Sequence, residues 1–311
     1  MSAIGKVRRL AFGVPSAQAV FSRPGFAPEA WQRFAPVARS LVAGYHATLE
    51  DSRLDRLVPR LEAVDRELHG FAYEGAGMGL AALDLLTFTD RRLTQFVQGP
   101  GAAHIYPVYV GVGLALARLR RDPEAYLRRL DPLLGWIVVD GYGFHEAFFK
   151  RRRYLERRQT PGHLSSYAQR VFDQGMGRAI WFSCGGVVPL VVRLVDGFPE
   201  QRHGDLWSGV GLASAYGGGA DRTGLRAVQA HAQPYTAQLA RGAATAAAGR
   251  ELAGNQTAHT ELACQVYCGM SAAEAADTLD RARRDLPTAA TGTAEPVYEA
   301  WRRRTEALLS V

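Results

Sequence analysis

From Trp31 to Leu68 apolar side chains recur at helical spacing: Phe34, Val37, Leu41 and Tyr45, then Leu54, Leu57, Leu61, Val64 and Leu68, with arginines and acids between them. A break around Asp51 to Pro59 divides this pattern into two predicted helices. The first begins near Pro28, because proline needs no N–H partner in a first turn. Residues 1–27 carry Pro15, Pro24 and several glycines with no clear period and read as an irregular arm. Alternating β-branched runs with Asn-Gly or Asp-Gly turns are almost absent, which argues against strands. The pattern predicts an all-α chain.

After Gly70 a repeat takes over. Gly-x-Gly pairs stand at Gly77/Gly79, Gly111/Gly113, Gly141/Gly143, Gly175/Gly177 and Gly209/Gly211, with first glycines 34, 30, 34 and 34 residues apart. At an offset of 98, Gly77-Met78-Gly79 recurs as Gly175-Met176-Gly177, and Gly111 to Ala115 recurs as Gly209 to Ala213. A weaker sixth copy starts near Arg241-Gly242-Ala243. Periods of this size mark helical hairpins that cannot bury their apolar faces alone and must stack on neighbours. Glycine inside a helix costs about 1 kcal/mol relative to alanine, and close backbone packing offsets that cost. Each unit is expected to be a Gly-x-Gly helix followed by a second helix, as in Leu83 to Phe96, Asp122 to Leu130, Ser165 to Phe172 or Asp221 to Ala232. The expected organisation is a solenoid-like single body over 28–311, with repeats across about 70–268 and capping helices over 269–311. Ser271 and Glu274 form a capping box there.

Composition adds limits. A 311-residue chain that is 47% hydrophobic can form a large core. Net charge is +7, from 37 basic against 30 acidic residues, which points to an acidic partner. Three cysteines do not make a disulfide framework, so a reducing cytoplasmic setting is expected. The N-terminus lacks a full secretory apolar region. The apolar run from Val187 is broken by Pro189 and Arg193, short of the roughly 20 residues a membrane span needs.

The richest chemistry lies in Gly135 to Lys150, GWIVVDGYGFHEAFFK. Asp140, Tyr142, His145 and Glu146 are its candidate catalytic groups, and on a helix Tyr142 shares a face with His145 and Glu146. An imidazole beside a carboxylate suits general acid–base work; the same four residues also fit a self-satisfied buried network. Position 149 is phenylalanine, so no zinc-protease motif forms. Glu74, Asp140, Asp173 and Asp205 each precede a Gly-x-Gly pair, with Tyr73, Tyr106, Tyr109, Phe144, Trp181 and Trp207 as aromatic neighbours. Together they suggest a groove for an extended apolar ligand, or acids that merely favour helix N-termini. His259, Glu261, Cys264 and Cys268 look like metal ligands but lack the Pro-Cys-x-x-Cys of zinc deaminases, and no metal is expected. Arg151, Arg152, Arg153, Arg157 and Arg158 crowd one short run, either a solvated helix end or a docking surface for an acidic protein such as an acyl carrier. No nucleic-acid-binding pattern accompanies them. Nucleotide loops, dinucleotide fingerprints and nucleophile elbows are absent, so no cofactor is expected.

Four blocks, GFAYEGAGMGLAALDLL, LLGWIVVDGYGFHEAFF, DLWSGVGLASAYGGG and HTELACQVYCGMSAAEA, together resemble the enediyne biosynthesis accessory proteins (UnbL-like), bacterial proteins encoded beside enediyne polyketide synthases. The similarity runs from about Gly70 to Trp301, with Ala147 standing where glycine is expected. The resemblance implies a pathway and carries over no catalytic residue. Joined to the aromatic groove and proton-transfer groups read from the residues, it suggests a protein that binds and processes a linear polyene released by the iterative synthase, with His145, Glu146 and Asp140 moving protons or orienting the ligand. The alternatives are a non-catalytic scaffold or carrier docked to the synthase, and a cofactor-free cyclase of a terpene-like substrate with Asp140 as the acid.

Overall fold

The computed structural model describes residues 3–284, 286 and 296–309. Helices α3 (Pro28–Glu50), α5 (His69–Thr87), α7 (Ile105–Arg118), α9 (Ile137–Phe149), α10 (Ser166–Ser183), α12 (His203–Gly217) and α14 (Thr236–Leu252) pack side by side in chain order. Shorter elements connect them on the outside: α4 (Leu54–Leu61), α6 (Arg91–Val97), α8 (Pro123–Leu127), a π-helical turn at Arg152–Glu156, α11 (Val188–Asp196), α13 (Arg222–His231) and α15 (Ala258–Tyr267). No strand occurs among the described residues. The all-α reading and its repeat hold.

The glycines explain why the array forms. A Cβ on Gly111 would stand 2.0 Å from the Glu74 carbonyl oxygen of the preceding helix, and one on Gly113 2.2 Å from the Val138 carbonyl oxygen of the following helix. No side chain fits in either gap, so backbone rests on backbone and apolar area is buried tightly along each seam. The same pairing recurs at Gly141/Gly143, Gly175/Gly177 and Gly209/Gly211. In α5, however, the equivalent pair is Gly75 and Gly77: Gly75 meets the Leu41 carbonyl of α3 and Gly77 the Val108 carbonyl of α7, whereas Gly79 meets the Thr48 side chain. The first copy of the repeat is therefore two residues earlier than its Gly77/Gly79 reading. Gly242, against the Ser208 carbonyl, confirms the sixth copy.

The array curls instead of running straight. The Ala27 amide at the start of α3 donates to the Ser183 carbonyl at the end of α10 (2.9 Å), and the rings of Phe34 and Phe182 meet edge-on at 4.7 Å. One turn later, Gly249 of α14 lies against Tyr106 of α7, and the Arg250 guanidinium donates to the Glu67 carbonyl at 2.9 Å. The helices spiral around a central channel. Enclosure on all sides is also why α5 is buried continuously from Gly70 to Asp84.

Three expectations change. Leu83 belongs to α5, and Ser165 to Phe172 caps and opens inner helix α10, so the outer element between α9 and α10 is only the π-helical turn. The N-terminal segment is ordered as α1 (Ala3–Phe12) and α2 (Ala17–Phe21), with Ser16 Oγ accepting from the Ala19 amide at 3.3 Å and Arg9 paired with the buried Glu50 of α3. These helices span ten and five residues, too short to show a period. At the other end, α16 (Ala272–Arg283) carries the predicted capping box and α17 (Val297–Leu309) packs across α14 and α16; residues 285, 287–295, 310 and 311 of the expected cap lie outside the described residues. Among the described residues no single helix is long and apolar enough to cross a membrane.

Candidate functional site

With the glycines pointing sideways, helix geometry dictates which residues point inward. On α5 they are Phe71, Glu74 and Met78; on α9 Ile137, Asp140, Phe144 and Phe148; on α10 Gln174, Arg178 and Phe182. Each set steps by three or four residues along one helix face. Two cavities result. The larger, about 540 Å³, is bounded by α3, α5, α7, α9, α10 and the segment from Val14 to Arg23, and is walled by Val20, Phe21, Leu41, Leu114, Phe144 and Phe148. The smaller, about 50 Å³, lies between the N-terminal halves of α7 and α9 and the C-terminal halves of α12 and α14, with Tyr298 of α17 across it. Phe71, Glu74, Arg178 and Phe182 line both and form the partition.

The partition belongs to a polar belt. The residue just before the first glycine of each pair is Glu74, Val110, Asp140, Gln174, Ser208 and Arg241. Gln174 donates to Asp140 at 2.8 Å and accepts from Ser208 at 3.3 Å and from Arg241 at 3.5 Å. Asp140, only 1% exposed, is also paired with Arg178, whose guanidinium lies over the Phe144 ring at 5.1 Å. Burial opposes the Arg178 charge, but attraction to acids beside it, Asp140 foremost, outweighs that cost.

Glu74 differs from every other acid in the channel. Its carboxyl is buried at 3% exposure, lines both cavities and makes no hydrogen bond or ion pair among the described residues. Loss of solvation pushes it up to about 7, with Asp140 adding to the rise and Arg178 opposing it. A carboxylic acid that keeps its proton near neutral pH can donate it into an apolar space. The guanidinium of Arg178 is placed to stabilise the carboxylate left behind.

The predicted catalytic quartet is divided. Asp140 faces the channel, but its oxygens are taken up by Arg178 and Gln174. Tyr142 points away from both cavities, with its hydroxyl 3.4 Å from His163 Nε2, and burial raises it to about 12. Burial also pushes Glu146 up, but His145 and Lys150 outweigh it and hold the carboxyl below its ordinary value; Lys150 Nζ donates to both its oxygens at 2.7 Å. His145 lines the larger cavity and is held below its ordinary value by burial. Its Nδ1 lies 3.5 Å from Glu146 Oε1, at the outer limit of a hydrogen bond.

Of the predicted binding residues, Glu74, Tyr106 and Phe144 line the cavities. Tyr73 instead stacks on His104 at 3.9 Å, Tyr109 accepts from the Asp131 amide at 3.5 Å, and Trp181 donates to the Gly218 carbonyl at 2.9 Å. Trp207 is buried core. Asp173 is bound by Arg202 at 2.7 Å, and Asp205 by Arg170 at 3.1 Å and by Arg302. The arginine run is not one face: Arg151 is half-buried and donates to Ser183 Oγ at 2.8 Å, whereas Arg152, Arg153, Arg157 and Arg158 are exposed. Cys264 and Cys268 are buried against the Ala243 and Ala240 carbonyls of α14, and no cluster of three or more candidate metal ligands occurs among the described residues. Sequence reading missed Arg178 and Phe182; an arginine set in the otherwise small and apolar run from Gly175 to Phe182 was the available signal.

No curated protein and no solved structure matches the chain. A family profile does match residues 3–309, nearly its whole length, and the protein therefore belongs to DUF1702, a family of proteins of unknown function.

Proposed function

We propose that the protein binds a long, unsaturated, apolar molecule in the larger cavity and isomerises or cyclises it by proton transfer, without a cofactor. The observation that carries this reading is the unpartnered Glu74 carboxyl at the inner end of an aromatic-walled cavity of about 540 Å³, a size typical of small-molecule sites. Glu74 gives its proton to a double bond: a C–H bond forms from the π pair, a carbocation develops on the adjacent carbon, and Arg178 stabilises the carboxylate. Phe71, Phe144 and Phe182 line the cavity there, and the π face of an aromatic ring attracts such a cation. Ring closure by a second double bond moves the cation to a new carbon. With or without that closure, the loss of a proton from a neighbouring carbon to the Glu74 carboxylate forms a new double bond, discharges the cation and restores the acid, so no oxidant is consumed.

The resemblance to enediyne accessory proteins makes a linear polyene from an iterative polyketide synthase the preferred ligand. A terpene-like polyene is the second reading, favoured by the same acid, with Glu74 in the role that the sequence suggested for Asp140. The test is co-expression with a polyene-forming synthase and thioesterase, followed by absorption and mass spectra of the co-purifying molecule. An altered polyene in the wild type and the unaltered one in Glu74→Gln is the expected result. An unaltered polyene bound to both proteins makes this a carrier, and an empty cavity in both overturns the proposal.

A further inference from the structure

The charges around the larger cavity are one-sided. Its lining includes Arg23, Arg118, Arg120, Lys150 and Arg178, yet the only carboxylate among the lining residues is Glu74, at the inner end. Two of the cations are already neutralised, Arg178 by Asp140 and Lys150 by Glu146. The other three are not. Arg118 meets no carboxylate among the described residues: it donates to the carbonyls of Phe12 and Gly13, at 3.5 and 3.2 Å, and lies beside the Tyr45 hydroxyl, while Arg23 lies over the Phe149 ring at 5.7 Å. Arg120 makes no ion pair among the described residues. All three are exposed, whereas Phe71, Glu74, Arg178 and Phe182 are buried. The cavity therefore runs from a cationic mouth, through an apolar barrel, to an acid at its far end.

From this layout we infer that the natural ligand is an amphiphile, an unsaturated chain ending in an anionic group that Arg118 and Arg120 hold at the mouth while the opposite end of the chain meets Glu74. This rests on the ligand-binding reading above and adds a chemical class and an orientation. A purely hydrocarbon ligand would leave three like charges at the mouth with nothing to meet. Guanidinium groups bind carboxylate and phosphate oxygens in forked pairs, and such bonds strengthen where the surroundings exclude water. Anchoring one end also fixes which double bond lies against Glu74, and so sets the outcome of proton transfer. The head group is a carboxylate or a phosphate.

Parinaric acid, a fluorescent polyene carboxylate, is the direct probe, with its methyl ester as the neutral control; farnesyl diphosphate and farnesol serve as competitors. The expected result is that the acid binds at least tenfold more tightly than the ester. In Arg118→Gln/Arg120→Gln, affinity for the acid falls about tenfold and affinity for the ester does not change. Stronger competition by farnesyl diphosphate than by farnesol, lost in the same variant, assigns a phosphate head group. Equal binding of acid and ester, indifferent to the substitutions, overturns the anion while leaving the cavity reading intact; failure of every probe to bind overturns both. Both arginines are exposed, and a circular dichroism spectrum matching wild type verifies the fold.

Discussion

Replacing Glu74 with glutamine keeps the shape of the buried side chain and removes its titration. In the folded protein the Glu74 carboxyl is raised from 4.5 to about 7, so over that interval the folded state holds a proton that the unfolded chain has already released. Linkage then requires stability to fall as pH rises from about 4.5 to about 7 and to fall no further above it. At about 1.4 kcal/mol per pH unit, Glu74 costs the protein roughly 3 kcal/mol at pH 8 and almost nothing at pH 4.5. Glutamine is neutral throughout. Urea unfolding of both proteins, followed by circular dichroism at constant ionic strength from pH 4.5 to 8.5, should show stability curves that nearly coincide in shape at the acid end and separate by about 3 kcal/mol in favour of Glu74→Gln by pH 8. Asp173, also raised by burial, has surroundings that do not include Glu74, so its contribution cancels in the difference. Curves that stay parallel across the range would show that Glu74 ionises normally, through water in the cavity or pairing with Arg178, and the acid role would fall with that result.

The glycine seams give a paired test. Gly209→Ala places a Cβ 1.9 Å from the Gln174 carbonyl oxygen and should cost 3 kcal/mol or more, at about the upper limit for overpacking, while Gly249→Ala meets only Tyr106 at 3.6 Å and should stay within about 1 kcal/mol of wild type; urea midpoints check both. Asp140→Asn leaves the Arg178 charge buried without its partner and should cost about 3–5 kcal/mol, part of which Asp140→Asn/Arg178→Met should recover, as read by a double-mutant cycle. Cys184, Cys264 and Cys268 are all buried, and burial pushes the Cys184 thiol up to about 11, so a thiol reagent should titrate none of them until urea unfolds the chain.

The spiral was legible because glycine is the one residue whose absence of a side chain is itself the contact. Gly111, Gly113, Gly175, Gly177, Gly209 and Gly211 each fill a helix–helix seam, so their spacing reports the helix array directly. The curl was not legible. It depends on where the two ends of a turn meet, as when Ala27 bonds to Ser183 and Arg250 reaches Glu67. Those contacts join residues more than 150 positions apart, and no local period encodes them. The contribution of α2 to the cavity wall is hidden for a simpler reason: a five-residue helix shows no period, and only its cap, Ser16, marks it.

The site was legible one step short. Acids preceding the glycine pairs stood out in the sequence, but the copies were aligned on Gly77 rather than Gly75, which left Glu74 three positions from its glycine while Asp140 stood next to its own. In the correct register both occupy the same place in the repeat, immediately before the first glycine, and both must face the channel because the glycines fix the sideways directions. What separates them is the next inward position on a neighbouring helix: Arg178 forms its ion pair with Asp140, whereas no ion pair reaches Glu74 among the described residues, on which Arg178 acts only through space. The His145 and Glu146 pair draws attention through residue type alone, yet Glu146 is buried outside the cavity lining with its carboxyl taken up by Lys150. Within a glycine-seamed array, position relative to the seam is a better guide to the channel than the chemistry of the side chain.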